Sequence, residues 1–135
     1  MAAAFHLRII SPAAVLVDAP VTSVQIPGVE GDFGVLSGHS NVFSMIRPGV
    51  IDVALTDGTR RHFFAATGYA DVTPTQCTVI SDHLQDLADI SAVEAQEALA
   101  AARLAFSQAE TPDERTQAQA VLHSAEALAA AVSNR

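Results

Sequence analysis

Glycine and alanine divide this 135-residue chain in two. All seven glycines lie at or before Gly68, and five of the six prolines at or before Pro74, whereas fifteen alanines fall within residues 91–135. Glycine and proline punctuate a chain that turns often, and alanine is the strongest helix former. The first part is therefore expected to be short strands and turns, and the second helical. The boundary falls near residues 83–89, where no period is strong. The predicted fold class is α+β: an N-terminal antiparallel β-sandwich or flattened barrel over residues 1–86, then a C-terminal antiparallel two-helix hairpin over residues 87–135.

Apolar patterning predicts strands over residues 5–10, 14–17, 21–26, 42–46, 50–55, 60–66, 69–72 and 77–80. Turns are expected at Ser11-Pro12, near Asp18 to Pro20, at Pro27-Gly28, Arg47-Pro48-Gly49 and Thr73-Pro74. Asp57-Gly58 is the strongest hairpin signal. In the helical part, Ser91-Ala92-Val93-Glu94 reads as a capping box opening a helix that runs to about Ala109. Thr111-Pro112-Asp113-Glu114 places an N-cap, a proline at N1 and first-turn acids before a helix running to about Val132. The expected seams are Ala88, Ala92, Ala95, Leu99, Ala102 and Phe106 on one helix, and Ala118, Val121, Ala125, Leu128 and Val132 on the other. Alanine seams approach closely but bury little area, at about 0.8 kcal/mol per CH₂, so the hairpin is expected to detach easily.

Charge and composition exclude several functions. A net charge of −8 argues against a nucleic-acid partner and against direct adhesion to anionic lipid. The single cysteine, Cys77, excludes an internal disulfide and reads as a strand residue. The N-terminus resembles neither a signal nor a transit peptide, and no apolar run is long enough to insert in a membrane. The five histidines show no metal-ligand spacing, so neither a metal nor any other cofactor is expected. No nucleophile sits in catalytic context, which argues against an enzyme.

The densest signal is Pro27-Gly28-Val29-Glu30-Gly31-Asp32-Phe33-Gly34-Val35-Leu36-Ser37-Gly38-His39. Its glycines mark sharply turned backbone, while Phe33 and Val35 share one face of a short strand. A phosphate loop would need a lysine and Ser/Thr after the glycines. The chain has no lysine; all seven basic residues are arginine. Asp32-Phe33-Gly34 lacks the partner motifs that a kinase requires. The stretch therefore reads either as a structural turn or as a docking loop with Glu30 and Asp32 at its tip.

This stretch resembles the epsilon subunit of the bacterial F-type ATP synthase, whose members carry Pro-Gly-x-Glu-Gly-acidic-apolar-Gly-apolar-apolar-Pro-Gly-His here. Ser37 replaces the usual proline. The resemblance continues through Arg47-Pro48-Gly49-Val50, Thr67-Gly68-Tyr69 and Val79-Ile80-Ser81-Asp82, with Thr67 where the family usually has glycine. It implies a β-sandwich carrying a helical hairpin, in a non-catalytic rotor subunit of the central stalk. Such a subunit links gamma to the membrane c ring and sits peripherally on the cytoplasmic face of the bacterial inner membrane. By the same resemblance Glu30, Gly31 and Asp32 contact the c ring, and Ser11 and His39 lie against gamma. The helices of some members reach the alpha/beta head and inhibit hydrolysis through basic side chains. Here the second helix offers only Arg115 and, beyond its expected end, Arg135, which implies weak inhibition. Some members bind ATP through Ile/Leu-Asp-x-x-Arg-Ala; Ile90, Ser91, Glu94 and Ala95 depart from that pattern at both charged positions, so no nucleotide is expected. The rival reading is a free-standing β-sandwich binding module.

Overall fold

The computed structural model describes residues 3–135. Backbone contacts divide the chain into two compact units, Met1–Asp86 and Leu87–Arg135.

The first unit is built from nine strands: β1 (Phe5–Ile10), β2 (Val15–Gly28), β3 (Gly31–Val35), β4 (Val42–Met45), β5 (Gly49–Leu55), β6 (Arg60–Ala65), β7 (Tyr69–Val72), β8 (Gln76–Ile80) and β9 (Leu84–Asp86). They lie in the order β4-β7-β8-β1-β2-β5-β6-β9, with β3 paired to β2. All pairings are antiparallel except β1 with β8, which is parallel with Leu7 beside Cys77. Gly28 bridges Ile46, and the Ile46 amide donates to the Gly68 carbonyl at 2.8 Å, so the far end of β2 meets the β4 edge and the sheet folds back on itself. The inward faces close over Leu7, Ile9, Val24, Ile51, Phe63 and Val79, all fully buried. These are β-branched and large apolar residues at alternating strand positions, as a two-layer core requires.

Three expectations meet the structure here: two are corrected, and the hairpin at Asp57-Gly58 is borne out. No turn forms near Asp18 to Pro20; β2 runs straight through as one strand of 14 residues. Proline is tolerated there for a geometric reason. The His6 amide donates to the Thr75 carbonyl at 3.1 Å, away from β2, so the opposed His6–Pro20 pair exchanges no hydrogen bonds. A donor at Pro20 would face the side where β5 pairs only from Val21 onward. Second, the Asp57-Gly58 hairpin forms as expected, around a three-residue loop. The Gly58 amide donates to the Leu55 carbonyl (3.1 Å) and the Leu55 amide to the Thr59 carbonyl (2.8 Å), with Gly58 at φ +89°. Third, β9 pairs with β6 inside the stretch taken as the boundary.

The second unit holds a 3₁₀ turn (Leu87–Asp89), α1 (Ala92–Gln108) and α2 (Pro112–Asn134). Ser91 caps α1 by accepting from the Glu94 amide at 3.0 Å, and Thr111 caps α2 by accepting from the Glu114 amide at 3.1 Å. The hairpin core is Leu99 and Ala102 against Ala125 and Ala129, with Leu122 partly buried beside them. The expected seams are corrected at their ends and register. Ala88, Ala92 and Phe106 are exposed, and on α2 Leu122 and Ala129 take the places expected for Val121 and Leu128. Positions 118, 125 and 132 belong to both possible stripes, and the partner helix selects between them.

Candidate docking site

The glycine-rich stretch folds as the β2–β3 hairpin. Gly28 and Gly31 pair across its end, leaving Val29 and Glu30 as the turn. No residue other than glycine has positive φ among the described residues, so Gly31 at φ +139° absorbs the reversal. Gly28 is constrained by space, since a Cβ there would lie 2.7 Å from the Gly31 carbonyl oxygen and 2.9 Å from Ser44 Oγ. Phe33 and Val35 turn toward the core, whereas Asp32 and Gly34 face outward, as the period-two reading requires.

The two acids of this hairpin differ. Asp32 pairs with the Arg47 guanidinium, and the Arg47 amide donates to the Pro27 carbonyl at 2.9 Å, so one residue holds both arms. Glu30 stands exposed at the turn. Beside it runs an apolar ridge on the outward face of β4. The Val29 amide donates to the Met45 carbonyl at 2.9 Å, Met45 is opposed to Tyr69, and the Phe43 and Tyr69 rings stack with centroids 5.2 Å apart. Val29, Met45 and Phe43 are 55%, 52% and 64% exposed. Several large apolar side chains left together in water on one edge make this a candidate contact surface.

Ser11 and His39 are not brought together. Ser11 forms a tight turn, its amide and hydroxyl both directed to the Ala14 carbonyl. It follows Ile10, whose carbonyl accepts from the Ser81 amide. His39 directs Nδ1 to the Ser40 carbonyl at 2.7 Å and follows Gly38, whose amide donates to Pro74. The two residues thus flank opposite ends of the β1–β8 ladder.

Sequence reasoning missed Arg47, Phe43, Met45 and Tyr69. Residues 42–46 carry apolar side chains on both faces, so alternation alone could not say which face is outward. Among the described residues, no three His, Cys, Asp or Glu side chains gather as metal ligands would, and no helix is long and apolar enough to cross a membrane.

A β-sandwich with an exposed edge of acidic and apolar side chains, followed by a helical hairpin, is the class of protein these elements define. Residues 4–86 match the ATP synthase delta/epsilon chain beta-sandwich domain. The chain is 39% identical over 123 residues to the ATP synthase epsilon chain of Brucella anthropi, covering 91% of each protein. It is 37% identical over 132 residues to that of Brucella canis, covering 98% of each. Its fold superposes with TM-score 0.85 at 26% identity on a chain of the Euglena gracilis mitochondrial ATP synthase OSCP/F1/c-ring structure, covering 96% of this chain and 82% of the other. A chain of the Tetrahymena thermophila central stalk/c-ring structure shares the fold at TM-score 0.69 and 11% identity, covering 95% and 96%. The chain belongs to the ATP synthase epsilon chain family.

Proposed function

We propose that this chain is a non-catalytic rotor subunit of the proton-translocating F-type ATP synthase, seated between gamma and the membrane c ring and coupling ring rotation to the catalytic head. The observation that carries this reading is the exposed edge where Glu30 adjoins Val29, Met45 and Phe43. Such an edge offers a buried apolar contact for area and a rim charge for register. In this reading Glu30, Gly31 and Asp32 meet polar loops of the c ring, and the surface carrying Ser11 and His39 lies along gamma. The protein is held at the cytoplasmic face of the inner membrane only through these partners. The family membership and the likeness to a chain of the Euglena OSCP/F1/c-ring structure support the assignment.

The helical hairpin is a weak inhibitor in the same proposal. Arg115 near the start of α2 and Arg135 at its end are the arginines that the second helix offers to acidic segments of the head. The test is co-purification from detergent-solubilised membranes. The native chain is expected to bring down gamma and the c ring, and Phe43→Asp to lose at least one of them. Recovery of the chain free of both partners would overturn the assignment.

A further inference from the structure

At the open end of the helical hairpin, where α1 begins and α2 finishes, one side chain joins the two by hydrogen bonds. Arg135 Nη1 donates to the Leu87 carbonyl at 2.7 Å and also to the Ile90 carbonyl. Both acceptors precede Ser91, the N-cap of α1. The first α1 amides turn elsewhere: Glu94 donates to Ser91 Oγ and Ala95 to the Ser91 carbonyl. The Leu87 carbonyl also accepts from the Ile90 amide at 3.3 Å, whereas no amide of the helix ladder serves the Ile90 carbonyl, which is the one that depends on Arg135. Leu87 and Ile90 are themselves buried at 4% exposure each. Buried carbonyls need a donor, and a charged guanidinium is a strong one. Residues 45 and 48 positions apart are joined in this way, while the packed cluster of Leu99, Ala102, Ala125 and Ala129 is small and mostly alanine.

We infer that Arg135 is a clasp, and that separation of residues 125–135 from residues 87–95 begins with release of its guanidinium. The clasp couples two states to one charge. While the hairpin is closed, Arg135 is spent on its own carbonyls. Once it opens, a cation is freed at the tip of α2. A partner presenting carboxylates shifts the hairpin toward the open state by the difference between its hold on Arg135 and that of the two carbonyls. The inference rests on contacts within residues 87–135 alone and stands whether or not the hairpin inhibits an enzyme.

Hydrogen exchange of the full-length chain tests it. Arg135→Ala is expected to speed amide exchange in residues 92–96 and 125–134 roughly fivefold, while residues 104–118 at the closed end change little. Arg115→Ala removes the same charge from the other end of α2 and is the control. It should leave residues 92–96 and 125–134 as they were. Unchanged exchange in Arg135→Ala, equal acceleration at both ends, or the same acceleration from Arg115→Ala would each overturn the clasp.

Discussion

Gly68 lies against the backbone of Ile80: a Cβ on Gly68 would sit 2.3 Å from the Ile80 carbonyl oxygen and 2.9 Å from Ser81 Cβ. Its φ of +126° is also disfavoured for any side chain. Steric overlap and backbone strain act together here, at the point where β7 begins to pair with β8. Gly68→Ala is expected to destabilise the β unit by on the order of 2–3 kcal/mol. Gly58 separates the two effects, since φ is +89° but nothing lies within 4 Å of its Cβ position. Gly58→Ala should therefore lose only about 1 kcal/mol. Urea midpoints measure both, and equal losses would show that the Ile80 contact is immaterial.

Cys77 is fully buried on β8, and burial, with a smaller contribution from the Asp71 charge, pushes its thiol from 9.0 up to about 12. The raised value means that the folded state retains a proton the unfolded chain gives up. Stability from this group is complete below pH 9 and declines as pH rises from about 9 toward 12. The thiol should accordingly resist modification in the native protein at pH 8. The urea midpoint should fall between pH 8 and pH 10.5 more steeply for the native chain than for Cys77→Val. Parallel pH profiles for the two proteins would contradict this origin.

No nucleotide is expected to bind at the start of α1. Ser91 is occupied as the helix cap, and Glu94 places an anion in the first turn. Phosphates brought there meet a carboxylate instead of a cation. Calorimetry with ATP should detect no binding tighter than about 1 mM, equivalent to roughly −4 kcal/mol. A tighter dissociation constant would require a site elsewhere on the chain.

Residues 1–86 are expected to fold and to bind gamma without the helices, because the buried strand core and the proposed docking edge both lie within them. If the truncated chain neither folds nor binds, the docking features depend on the helices.

Removing residues 87–135 should raise ATP hydrolysis by the reconstituted complex only slightly. A closed hairpin whose Arg135 is engaged presents little basic surface to the head. Steady-state ATPase rates with full-length protein and with residues 1–86 give the comparison. An increase of tenfold or more, about 1.4 kcal/mol, would show that the hairpin is a strong inhibitor.

The sequence alone determined everything encoded within a few residues. Ser91 and Thr111 satisfy amides three positions ahead, so both helix starts were legible. Gly31 and Gly58 supply positive φ at their own positions, so the β2–β3 and β5–β6 reversals were marked. The partition of glycine from alanine set the α+β class. What only the tertiary structure decided depends on partners far along the chain. Pro20 reads as a turn in isolation, yet β1 and the late start of β5 make it a harmless strand residue. Leu84–Asp86 becomes a strand because β6 offers an edge. Positions 121 and 122 are equivalent in sequence until α1 selects Leu122 for the core. Asp32 and Glu30 look alike as exposed turn acids, and only the approach of Arg47 gives Asp32 an ion-pair partner. Local backbone chemistry is written residue by residue, but which face is buried and which charge remains free is a property of the assembled contacts.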